Sequence, residues 1–153
     1  MPRTPMLKLP PPIWAIAYVL IAAGTSYLAG WPRVRGLPLV WLAVALIILG
    51  TVLSAVAVAL FRQIGTDLNP TSATNRALVT SGPFRFTRNP MYLGLVIVTF
   101  GIAFWVGAWP MFLAPIAIFA TANWVHIPFE EAKMRHQFGE AFDTYVHKVR
   151  RWV

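Results

Sequence analysis

Two short stretches carry most of the polar chemistry available to this chain. The first is Gly82-Pro83-Phe84-Arg85-Phe86-Thr87-Arg88-Asn89-Pro90-Met91-Tyr92-Leu93-Gly94, which sets two arginines ahead of an Asn-Pro step and a long apolar run. Asn is a preferred N-cap and Pro is favoured in the first helical turn, so Asn89-Pro90 reads as a helix start. A helix start offers unpaired N–H groups and partial positive charge. With Arg85 and Arg88 beside it, that end suits a carboxylate or a phosphate. Tyr92, one turn inward from Arg88, is placed to hydrogen-bond a ligand or stack on it. The second stretch is Asn123-Trp124-Val125-His126-Ile127-Pro128-Phe129-Glu130-Glu131. Spacings of three and four residues put Asn123, His126 or Ile127, and Glu130 on one helical face. Polar residues near the end of an apolar span tend to face a cavity, and a carboxylate pair beside it can accept hydrogen bonds from a ribose diol. The plainer readings are interfacial charge for the arginines and the helix-dipole preference for acids in a first turn for the glutamates.

The elements that must position these groups are apolar. Of 153 residues, 58% are hydrophobic and 12% charged, against about 25% charged in soluble domains. An aromatic content of 14% excludes intrinsic disorder, and the absence of cysteine excludes a disulfide scaffold. The formal charge of +8 lacks the polar body that a soluble nucleic-acid binder needs, so no nucleic-acid partner is expected. A small all-α, multi-span membrane protein remains. Four stretches approach the ~20 apolar residues of a transmembrane helix: 13–31, 38–61, 91–109 and 111–127. None contains Asp, Glu, Lys or Arg. The last two meet at Trp109-Pro110, and Gly107 and Pro110 favour a tight helical hairpin there over a single bent element that does not fully cross. With the N-terminus in the cytosol, all of the 13 Lys and Arg except Arg33 and Arg35 fall inside. The positive-inside rule therefore gives four spans with both termini cytosolic. All five acids, Asp67, Glu130, Glu131, Glu140 and Asp143, fall on the same side.

Two segments lie outside the bilayer. The connection 62–89 is long for a loop in a compact domain, a feature of functional segments. The tail, 128–153, reads as one amphipathic helix with an apolar stripe at Met134, Phe138, Ala141, Phe142, Tyr145 and Val149. It ends in Arg150-Arg151-Trp152 and is expected to lie at the membrane surface among lipid headgroups. The chain reads as a single domain, 1–153, whose half from about residue 76 onward holds the candidate site. His136, Glu140 and His147 have no dense metal-ligand spacing, so no metal is expected. Neither a Ser-His-Asp arrangement nor a Gly-rich phosphate loop is present.

Together these residues resemble the isoprenylcysteine carboxyl methyltransferase family and its phospholipid methyltransferase relatives. The family carries Gly-Pro-Tyr-Arg-Tyr-x-Arg-His-Pro-x-Tyr-x-Gly entering a span, then a helical hairpin, a Glu-Glu pair, and Phe-Gly-Glu-x-Tyr-x-x-Tyr before a basic, Trp-containing end. The counterparts here are Gly82 to Gly94, Glu130-Glu131, Phe138-Gly139-Glu140-Ala141-Phe142-Asp143-Thr144-Tyr145 and Arg150-Arg151-Trp152. Phe84, Phe86 and Phe142 replace tyrosines, Asn89 replaces a histidine, and His126 and Pro128 stand where relatives often carry a basic residue. The resemblance implies methyl transfer from S-adenosylmethionine. It implies a cofactor site at Arg85, Asn89, Pro90, Tyr92, Gly94, Asn123, Glu130 and Glu131, with Arg88, Glu131 and His126 at the reacting end. An amine acceptor would need a base, for which His126 or Glu131 is the candidate. The acceptor is expected to be a lipid-like or small amphipathic molecule entering from the bilayer, with membrane lipids as neighbours. Two rival classes are a sterol-reductase-like enzyme, with Arg76 or Arg135 receiving a nicotinamide 2′-phosphate, and a small four-helix transporter or subunit.

Overall fold

The structure, a computed structural model, describes residues 10–34, 36, 39–64 and 77–153. Residues 65–76 of the 62–89 connection, Asp67 and Arg76 among them, lie outside the described residues, as do Arg3, Lys8 and Arg35. Among the described residues the chain is helical: α1 (Pro11–Leu28), α2 (Val40–Ile64), α3 (Pro90–Val106), α4 (Leu113–Thr121), α5 (Ile127–Phe138) and α6 (Glu140–Lys148). Three helical runs are long and apolar enough to cross a membrane: α1, α2 and the 30-residue run Trp109–Phe138. α3 has 17 residues, about 25 Å at 1.5 Å per residue against a ~30 Å hydrocarbon core. Four apolar helices are thus present, as expected, with the third shorter than a full crossing.

The hairpin forms where Gly107 adopts φ 72°, a left-handed cap whose N–H returns to the Ala103 carbonyl. A short 3₁₀ turn, Trp109–Phe112, then leads into α4. The α1–α2 connection pairs with this corner: Val34 N–H donates to Gly107 O at 3.0 Å and Trp109 N–H to Pro32 O at 3.2 Å. The ends of α1 and α3 therefore lie together, and Asn89 and Glu130 sit at the opposite end of the bundle.

Small residues set how closely α2 and α3 approach. Ala43, Gly50 and Ala57 recur every seven residues on α2, and Gly94 and Gly101 do so on α3. Two helical turns apart, they form one face of each helix, and such faces let transmembrane backbones come together. A Cβ at Gly94 would meet the Ser54 hydroxyl and stand 2.5 Å from the Gly50 carbonyl. Gly94→Ala is therefore expected to destabilise the protein by ~1–3 kcal/mol, the usual cost of overpacking. A melting temperature in detergent equal to that of the wild type would contradict this packing.

α1 packs on the other side of the bundle. Trp14 and Ala15 join Tyr92, Val96, Ile118, Ala122 and Ile127 in one buried cluster, and Tyr18 Oη lies 2.8 Å from Thr121 Oγ1. Between α4 and α5 the helix widens into a π turn, Ala122–His126, where Ile127 N–H reaches back five residues to Ala122 O. Pro128 explains the need. It has no N–H to give, and its ring would crowd the carbonyl four residues earlier, so the preceding turn takes up an extra residue.

The tail departs from the single surface helix expected. Gly139, at φ 51° and ψ −127°, breaks it into α5 and α6. Phe142, Tyr145 and Val149 are buried against Leu78, Met134 and Phe138, while Ala141 stays exposed. Most of the apolar stripe thus faces protein rather than lipid. Beyond α6 the backbone extends at Val149 and runs back along the start of α3.

Candidate active site

A cleft of about 640 Å³, its open mouth included, lies where the lead-in to α3 meets α5 and α6. Arg88, Asn89, Pro90, Tyr92, Glu130 and Glu131 line it, together with an apolar wall that includes Phe61, Leu78, Met91 and Met134. The apolar part of the fourth span ends at Ile127, so both glutamates stand beyond it on the charged helix α5.

Two arrangements divide the polar lining. In one, Tyr92 donates a 2.6 Å hydrogen bond to Glu130 Oε1. Burial pushes the Glu130 carboxyl up to about 7, against the opposing pull of the Tyr92 hydrogen bond and the charge of Lys133. In the other, Glu131 is gripped by two guanidinium groups. Arg88 Nη2 reaches Oε1 at 2.8 Å. Arg151 reaches Oε2 through Nη2 at 2.6 Å and Oε1 through Nε at 3.2 Å. Burial alone would raise the Glu131 carboxyl; the hydrogen bonds from Arg151 and Arg88 outweigh it and hold the group below its ordinary value. The two adjacent carboxylates are thereby driven apart, one readily protonated and one firmly ionised, a pattern typical of functional sites.

Arg88 also fastens the tail. Its Nη1 donates to the carbonyls of Val146 and Val149 at 3.0 and 2.8 Å, and its backbone N–H donates to Arg150 O at 3.0 Å. Thr87 Oγ1 and Asn89 Nδ2 both donate to Arg151 O, at 3.2 and 2.9 Å. Asn89 therefore does not cap α3 with its side chain as its position predicts. It is turned to the tail, which leaves the first-turn N–H groups without a side-chain cap at the cleft.

Four expected ligands stand elsewhere. Arg85 is exposed outside the cleft lining, because the 3₁₀ turn Gly82–Arg85 points Phe84 inward instead. Gly94 belongs to the α2–α3 contact. Asn123 accepts from Trp152 Nε1 at 3.0 Å and, more distantly, from Arg151 Nη1 at 3.5 Å. His126, expected as a base, is wholly buried behind Tyr92, its ring stacked 5.0 Å from that of Trp14. The π turn widens the helix at Asn123, which faces Trp152 and Arg151, while His126 and Glu130, four residues apart, both pack against Tyr92. Arg135, the candidate for a nicotinamide phosphate, pairs with Asp143 at 2.8 Å.

Arg151, Thr87 and Tyr145 escaped the sequence reading as site residues. Tyr145 donates to the Phe84 carbonyl at 2.7 Å and holds α6 on the lead-in to α3. One signal was available: two adjacent acids next to an apolar span need counter-charge, and the paired arginines of the tail are among the chain's few cations able to supply it.

Comparison with known proteins places these elements in context. The family profile described as phospholipid methyltransferase matches residues 38–141, more than half of the chain. An uncharacterized protein of Haemophilus influenzae is 32% identical over 63 residues, covering 41% of this chain and all of that protein.

Proposed function

The chain belongs to the phospholipid methyltransferase family and is a membrane methyltransferase; from that premise we propose that it takes its methyl group from S-adenosylmethionine bound in the cleft at the start of α3. The acceptor in this reading is a lipid-like or small amphipathic molecule, and the reacting face is cytosolic, where the positive-inside rule puts the basic residues.

The observation that carries this reading is the pairing, in one cleft, of an anion-receptive helix start with a partly buried carboxylate. The residues fit the cofactor's chemistry. Its carboxylate suits the uncapped first turn of α3 beside Arg88. Glu130 has one carboxylate oxygen on Tyr92 and a second able to accept from ribose hydroxyls. When bound, the cofactor supplies an electrophilic methyl carbon on a sulfonium. The protein's part is to hold acceptor and methyl in line and keep water out, for which the apolar wall of Phe61, Leu78, Met91 and Met134 is suited. Carboxylate or thiolate acceptors need no base.

Incubating protein in liposomes with methyl-labelled S-adenosylmethionine and a bacterial lipid extract is expected to move label into the lipid phase. Label confined to the aqueous phase, or nicotinamide oxidation in its place, would overturn the proposal.

A further inference from the structure

The segment 149–153 was expected to be an interfacial anchor. Its contacts give it a different task. Val149, Arg150 and Arg151 each offer a backbone carbonyl to the Thr87–Asn89 stretch. The Trp152 ring lies 4.6 Å from that of Phe119 on α4, and its indole N–H donates to Asn123. Arg151 is thus fixed at its backbone on one side and by its neighbour on the other, and its side chain is aimed at Glu131. Neither Arg151 nor Trp152 lines the cleft.

We propose that Arg151 is a positioning residue: it clamps Glu131 against Arg88 and thereby fixes the wall of the cleft that faces the cofactor, without touching the cofactor. The geometry is that of a carboxylate held between two guanidiniums, with both oxygens used and the Arg151 contact two-pronged. Such pairs fix orientation as well as charge. Glu131 and Arg88 are both largely buried, at 16% and 11% side-chain exposure. Removing one cation leaves an under-compensated charge that rotates toward water. Because α5 carries Glu130 and Glu131 side by side, movement of Glu131 disturbs the Tyr92–Glu130 pair as well. The charged groups facing Glu131 are Arg88 from the α3 lead-in, Arg151 from the tail, and Glu130 from its own helix.

The inference rests on the proposed cofactor, and its test separates the two. S-adenosylmethionine affinity is measured by calorimetry for wild type, Arg151→Ala, Glu131→Gln and the double variant, with Arg151→Lys and the exposed Arg150→Ala as comparisons. Melting of the same proteins is followed without ligand. Arg151→Ala is expected to weaken binding about tenfold or more, the weight of a charge-assisted pair. The double variant is expected to be no weaker than Glu131→Gln, because Arg151 acts through Glu131. Arg151→Lys keeps the charge but loses the fork, and is expected to fold and bind at an intermediate level; Arg150→Ala is expected to bind like wild type. Additive losses, or an unchanged affinity in Arg151→Ala, would overturn the assignment. Should the wild type bind no S-adenosylmethionine, the proposed function falls, and the ligand-free melting cycle decides the clamp: coupling between positions 131 and 151 upholds it, and its absence sinks it.

Discussion

Arg88→Ala is expected to destabilise the protein by about 3–5 kcal/mol and to lower methyl transfer by roughly two orders of magnitude. One side chain serves three acceptors: Glu131 and the carbonyls of Val146 and Val149. Deleting it leaves a carboxylate with one cation in place of two and leaves two carbonyls unpaired at the end of α6. The tail then loses its main tie to α3, and the cleft wall opens. Arg88→Lys restores charge but cannot span three acceptors, so it should recover a fraction of stability and little of the rate. Thermal melting and initial rates on the two variants check this. An Arg88→Ala protein that melts and turns over like wild type would show that the network is incidental.

The second large effect is on pH. The Glu130 carboxyl titrates at about 7, so its charge changes within the working range. A cationic ligand that donates hydroxyl groups to it favours the ionised form. S-adenosylmethionine affinity is therefore expected to rise about tenfold between pH 6 and pH 8, following the ionised fraction, and to be flat and low in Glu130→Gln. Stability of the ligand-free protein runs the other way. A carboxyl raised above its unfolded value of 4.5 favours folding in its protonated form, so its contribution is full below about pH 4.5 and is lost as pH rises through 7. Glu131 has the opposite sign: held below its ordinary value, it stabilises above about pH 4.5 and loses that contribution on acidification. Calorimetric titrations at pH 6, 7 and 8 read the affinity slope, and melting curves from about pH 3 to about pH 8 read the two stability slopes. A pH-independent affinity would remove Glu130 from the binding site.

What could be read from the sequence, and what could not, follows from the distance over which each signal acts. Asn89-Pro90 declared a helix start because capping and proline preferences are local, and that start lies at the cleft. Glu130-Glu131 was conspicuous because acids are scarce in so apolar a chain. The four apolar helices and the Gly107 corner follow from composition and turn chemistry. The failures are non-local or involve altered periodicity. The Arg151–Glu131 clamp joins residues two helices apart, and no spacing rule reaches across the break at Gly139. The shared face of Asn123, His126 or Ile127, and Glu130 assumed 3.6 residues per turn, a spacing that the π turn ahead of Pro128 alters at Asn123. The resemblance put Gly94 in the cofactor site, although its seven-residue partner Gly101 and the matching Ala43, Gly50 and Ala57 already spelled out a helix contact. The tail stripe was real, but amphipathicity alone does not say whether the apolar face meets lipid or protein. Here Leu78 and the α3 lead-in cover it.

The central claim is that the cleft at the start of α3 binds S-adenosylmethionine through Glu130 and the residues around Asn89. Isothermal titration of the purified protein in detergent, wild type beside Glu130→Ala and Asn89→Ala, tests it most directly. The account predicts saturable one-to-one binding by the wild type, lost in Glu130→Ala and weakened in Asn89→Ala as the tail loosens. Absence of binding to folded wild type, with binding of a nicotinamide dinucleotide in its place, would contradict it.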